Sequence, residues 1–167
     1  MIIIGYQGIG KSTVCSQLGS VIDLENGNFY VDGKRHDDWY KVYANIALDL
    51  SRQKFTVLTP SHAVLRKRLH DMNVTGEDIA ICYPSLDLKS EWIDKLEKRY
   101  VGDPCDKNLR ALLNAKDRYA DNIREMIADA DEFGFIKMEI GSMDYSLRNM
   151  ILDLHDMTYG MKKENVI

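Results

Sequence analysis

Residues 5–12 read Gly5-Tyr6-Gln7-Gly8-Ile9-Gly10-Lys11-Ser12 and satisfy G-x-x-x-x-G-K-[ST] at every fixed position. Glycines at this spacing let the backbone take φ > 0 and approach a ligand closely, so successive N–H groups point into one concave anion nest. A helix beginning at Lys11 would add the partial positive charge of its amino end. In such a loop the Lys11 ammonium reaches the β- and γ-phosphates of a nucleoside triphosphate, and the Ser12 hydroxyl ligates Mg²⁺. The candidate phosphate-binding residues are Gly5, Gln7, Gly8, Ile9, Gly10, Lys11, Ser12 and Thr13. With glycine at about 7% of residues, a chance match in a chain this long is on the order of one in a hundred or less.

The elements that must position this loop follow from periodicity. Residues 1–4 form a short apolar run, a buried strand, and residues 11–18 read as a helix. Residues 20–24 are a second strand. Residues 37–52 place Trp39, Val42, Tyr43, Ile46, Ala47 and Leu50 on one stripe, an amphipathic helix with Asp37 or Asp38 as N-cap. Trp39 and Tyr43 on that stripe are expected in the core. Further strands are expected at 55–58, 79–83 and 135–140, and further helices at 63–70, 88–100, 107–129 and 144–154, the last capped by Asp144. The tail 162–167 is expected to fray. Strands alternating with helices predict βαβ units and a three-layer α/β/α sandwich around a five-stranded parallel sheet.

Composition bounds the rest. The 167 residues suit one domain, residues 1–167, with no linker dividing them. Net charge is −4, which does not favour a dedicated non-specific nucleic-acid binder. Cys15, Cys82 and Cys105 form no C-x-x-C pair and read as reduced packing thiols in a cytoplasmic protein. The opening apolar residues lack a basic flank and run into a glycine turn, so a strand is expected there and not a signal peptide. No apolar stretch approaches the length of a membrane span.

With the motif after a first strand and before a helix, the chain resembles the P-loop kinases of small molecules, the nucleoside, nucleotide and shikimate kinase group. The resemblance covers nearly the whole length, but only the loop is highly specific. It implies a P-loop NTPase fold, an acceptor beyond the strand ends, and a mobile helical lid that supplies arginines. It also implies that Asp23, ending the second strand, faces the acceptor or the Mg²⁺ shell, with Glu25 two residues on sharing the task. Asp23 as a mere turn residue is the alternative. Thr59-Pro60-Ser61-His62 departs from the wider pattern, in which an acidic residue often ends this strand to bind Mg²⁺. Asp23 is thereby the favoured carboxylate.

The acceptor candidates are Asp23, Glu25, Tyr30, His62 and Arg66. Tyr30, with Phe29 and Tyr40, offers a ring on which a base can stack. His62 sits at the carboxyl edge of the sheet, where open α/β folds bind ligands, or simply starts a helix. Arg66 would turn back toward an acceptor phosphate. The lid falls within residues 95–118, with Gly102-Asp103-Pro104 as hinge. Its candidate arginines are Arg99, Arg110 and Arg118, the last two sharing a helix face with Asn114. A plain charged surface helix is the alternative. Lys11, Asp23, Arg99 and Arg118 are the candidate catalytic residues, and Ser12 and Asp23 the candidate metal ligands.

The implied activity is an ATP- and Mg²⁺-dependent phosphotransferase acting on a nucleoside, nucleotide or similar hydroxyl-bearing acceptor, with ATP or GTP as donor. Two alternatives stay open. One is a kinase acting on a modified base or an end in DNA, hinted at by Lys34, Arg35 and His36. The other is a regulatory NTPase, disfavoured because no N-K-x-D tetrapeptide occurs.

Overall fold

The computed structural model describes residues 1–24, 30–31 and 34–164. In chain order the elements are β1 (Ile2–Gly5), α1 (Lys11–Cys15), β2 (Val21–Asp23), β3 (Tyr30–Val31), β4 (Lys34–Arg35), α2 (Trp39–Arg52) and β5 (Thr56–Pro60). Then follow α3 (Ala63–Met72), β6 (Ile79–Pro84), α4 (Lys89–Gly102), α5 (Asp106–Phe133), β7 (Ile136–Ile140) and α6 (Leu147–Glu164). A 3₁₀ turn, Leu86–Leu88, leads into α4.

β1, β2, β5, β6 and β7 form one all-parallel sheet in the order β2-β5-β1-β6-β7. β1 is central, with Ile2, Ile3 and Ile4 at 0% exposure. Each such side chain contributes about 1.5–3 kcal/mol relative to an exposed one. An unbroken apolar run is what a strand covered on both faces requires. The helices agree with this. α1 contacts α6, whereas α2, α3 and α5 form a contiguous series, an arrangement consistent with three layers.

This strand order fixes where the sheet opens. From β1 the chain crosses to β2 on one side, and from β6 it crosses to β7 on the other. The carboxyl end of β1 therefore lies where neighbouring connections diverge, the place where open α/β sheets form a crevice.

The five expected strands are present with ends shifted by one or two residues. Three local expectations need correction. α1 stops at Cys15 rather than residue 18, so its amino end contributes little dipole. α6 is capped by Ser146, whose Oγ accepts from the Asn149 N–H at 3.3 Å, and not by Asp144. That helix also runs on to Glu164, past the residue where fraying is expected. The antiparallel pair β3–β4 has no forewarning in the sequence, because two-residue strands carry no periodicity.

Candidate functional site

The Gly5–Ser12 loop is shaped by what surrounds it. Gly8 and Gly10 have φ +84 and +93, a region that a side chain would make costly. Gly10 is also the N-cap of α1, so the turn from loop into helix depends on that left-handed residue. A Cβ on Gly8 would lie 2.9 Å from Leu96 Cδ2 and 3.4 Å from Trp92 Nε1. A Cβ on Gly5 would lie 2.4 Å from Ile9 Cδ1, where Ile9 is folded under the loop. The loop thus presses against both its own start and α4.

A cleft of ≈ 430 Å³ opens on the inner side of the loop. Gly8, Ile9, Gly10, Lys11, Ser12 and Thr13 form one wall, Asp23, Leu24 and Pro60 another, and Lys95, Leu96, Arg99 and Lys107 a third. Four cations and one carboxylate therefore face one crevice in a chain whose net charge is −4. Cations gathered between low-dielectric walls focus the field and concentrate an anion there.

Asp23 is fixed from several sides. Its Oδ2 accepts from Ser12 Oγ at 3.0 Å. The next residue is held twice, by Leu24 N–H donating to Leu58 O at 3.0 Å and by Tyr43 O–H donating to Leu24 O. β5 and α2 together thus set where β2 ends and where its carboxylate stands.

Lys95 sits against two rings. Its Nζ lies 4.3 Å from the Trp92 ring centre and 4.8 Å from that of Tyr145, and it donates to Tyr145 O–H at 2.8 Å. Burial first, and then the Arg99 charge, hold its pKa below the usual lysine value. The rings partly replace lost water around the ammonium. An anion in the cleft would raise that pKa again.

Several expected residues lie elsewhere. Gln7 does not line the cleft; its side chain turns outward to α5, with Nε2 donating to Ala111 O at 2.8 Å. Arg66 is 2% exposed and donates to Ser61 O, Glu125 and Asp129, the last at 2.5 Å. It ties α3 to α5 and is not turned toward the cleft. Arg118 does not line the cleft either; it occupies a break within α5 with φ −131 and ψ 20. Arg110 donates to Asp106 O within its own helix. His62 is the N-cap residue of α3 and its ring packs edge-on against Trp39, with centroids 5.3 Å apart. Trp39 and Tyr43 are core residues as expected, at 7% and 0% exposure. Tyr40 packs edge-on against Trp39. Glu25 and Phe29 lie outside the described residues, as do the side chains of Tyr30, Lys34 and Arg35.

Lys95 and Lys107 belong to no sequence motif, and the fold alone brings them to the cleft. Lys95 and Arg99 are spaced i, i+4 and so share a helix face, a signal that the sequence does carry. Two cysteines are not activated: burial pushes the Cys82 thiol up to about 12 and, with the Asp23 carboxylate, raises that of Cys15. Cys105 is exposed and is not the packing residue expected of it.

Among the described residues no three of His, Cys, Asp and Glu cluster as a metal site. Among the described residues no helix is long and apolar enough to cross a membrane. No protein-family model matches this chain, and no curated protein matches it either.

Proposed function

We propose that the protein is an ATP- and Mg²⁺-dependent phosphotransferase, a P-loop kinase acting on a nucleoside, a nucleotide or a similar small hydroxyl-bearing acceptor. The observation that carries this reading is the cleft in which the Gly5–Ser12 loop meets Lys11, Lys95, Arg99, Lys107 and the Ser12–Asp23 pair. Phosphoryl transfer asks little covalent chemistry of a protein; it needs positioning and charge stabilisation. The loop N–H groups and Lys11 would hold the β- and γ-phosphates. Lys95, Arg99 and Lys107 would balance charge on the transferring group. Asp23 would orient the acceptor hydroxyl at the mouth beside Leu24 and Pro60.

A hydroxyl and a carboxylate 3.0 Å apart are hard oxygen donors of the kind that would hold Mg²⁺. Bound there, the ion would neutralise phosphate charge.

Incubation with γ-labelled ATP and Mg²⁺ tests the reading, against nucleosides, nucleoside monophosphates, shikimate-like acids, and plain and base-modified DNA. Label is expected in one small-molecule pool, with loss of roughly 100-fold or more in Lys11→Ala. Label only in DNA would move the acceptor to that class. Label in no arm would contradict a kinase.

A further inference from the structure

Mechanically, α5 is two rods. The non-helical Arg118 divides it, and the later part buries Tyr119, Ile123, Met126 and Ala130. Tyr119 O–H also donates to Ser85 O at 2.8 Å, which fastens that part beside the end of β6. The earlier part, residues 106–117, brings Lys107 to the cleft and lies along α4, with Lys116 paired to Glu97 at 3.1 Å. The 103–105 break precedes it and the Arg118 break follows it. Helix segments bounded by such breaks are where rigid pieces shift relative to one another.

One loop residue meets both helices, α5 between its two breaks through its side chain and α4 through its main chain. Gln7 Nε2 donates to Ala111 O at 2.8 Å, and Gln7 Oε1 accepts from Asn114 Nδ2 at 3.2 Å. Gln7 main-chain O accepts from Trp92 Nε1 at 3.0 Å, on α4. Asn114 Oδ1 in turn accepts from Asn122 Nδ2 at 3.3 Å, across the Arg118 break. A primary amide with both its donor and its acceptor engaged has its orientation fixed. The loop itself is soft, since two of its residues are glycines with positive φ. Its shape must be imposed from outside.

We infer that Gln7 is a positioning residue that sets the spacing between the phosphate nest and the cations of α4 and α5. The inference rests on the phosphate-binding reading of the cleft. Gln7 touches no ligand in this role. Its side chain holds the earlier part of α5, and with it Lys107, at the range at which that cation acts on an anion lying in the Gly8–Ser12 loop. Its main-chain O meets Trp92 of α4, the helix that carries Lys95 and Arg99.

The test is calorimetric titration of the full chain with inorganic tripolyphosphate at several KCl concentrations, comparing the unaltered protein with Gln7→Met. The substitution keeps length, removes both side-chain contacts to α5 and leaves the main-chain bond to Trp92 in place, so the readouts report on the placing of Lys107. Affinity is expected to fall roughly tenfold, the scale of couplings within one hydrogen-bonded network. The dependence of affinity on salt should also flatten, because fewer cations then face the anion. A merely structural role would lower the melting temperature and leave that salt dependence unchanged. Asn114→Ala, at an exposed contact, should shift both readouts the same way by less, and it replaces Gln7→Met if that variant does not fold. Unchanged affinity and salt dependence in the folded variants would overturn the inference alone. Failure of the unaltered protein to bind tripolyphosphate would overturn the cleft reading and this inference with it.

Discussion

At the residue scale the site depends as much on absent atoms as on charged ones. Gly8 combines a left-handed backbone with Leu96 and Trp92 packed where a Cβ would stand. Gly8→Ala should therefore cost about 1–3 kcal/mol, from the αL penalty and from overpacking against Leu96. Urea unfolding checks this, and a variant as stable as the parent would show that the loop relaxes freely. Gly10, with φ +93 but open space around it, should lose the conformational part alone. The glycine spacing is legible in the sequence, because the backbone conformation it permits is a local property. That Gln7 points away from the cleft is not, because its partners Ala111 and Asn114 lie more than a hundred residues on.

At the scale of elements, α3, α4 and α5 are joined by polar ties that fix which side chains remain for a ligand. Arg66 shows this most clearly. Sequence alone turns it toward an acceptor phosphate, since it sits four residues after His62 on a helix that follows a strand end. The fold instead brings the acidic side of α5 against it, and Glu125 and Asp129 take up its guanidinium. Arg66→Met should lower stability by roughly 1–3 kcal/mol, below the figure for a fully dry pair because Glu125 and Asp129 keep 45% and 21% exposure. ATP affinity should be unchanged. Chemical unfolding beside an ATP titration separates the two, and a large loss of affinity at intact stability would return Arg66 to the ligand. Strand and helix identities are readable from periods of two and 3.6 residues, and the Asp103-Pro104 break from proline chemistry. The partner of a given helix face is not, since periodicity reports that a face is buried and never against what. The Arg118 break falls in the same class, as no proline or glycine marks it.

For the whole molecule, the central fact is a cationic crevice in an acidic chain. The net charge of −4 repels anions in general, while Lys11, Lys95, Arg99 and Lys107 gather at the carboxyl end of the central strand. Alternating elements announce a parallel sheet, but the order β2-β5-β1-β6-β7 comes from long-range pairing that no local pattern encodes. It is this order that places β1 between diverging crossovers and opens the crevice in front of the Gly5–Ser12 loop. In the proposed reading the crevice takes a triphosphate, with specificity left to the far wall near Asp23 and Leu24. The most direct test is an equilibrium titration of the full chain with ATP in Mg²⁺, beside Lys11→Ala. Saturable binding at one site, lost or weakened by roughly 100-fold in a Lys11→Ala protein that unfolds as the parent does, is the predicted result. Binding that is absent, or equally tight in both proteins, would contradict the assignment of the Gly5–Ser12 cleft as the nucleotide site.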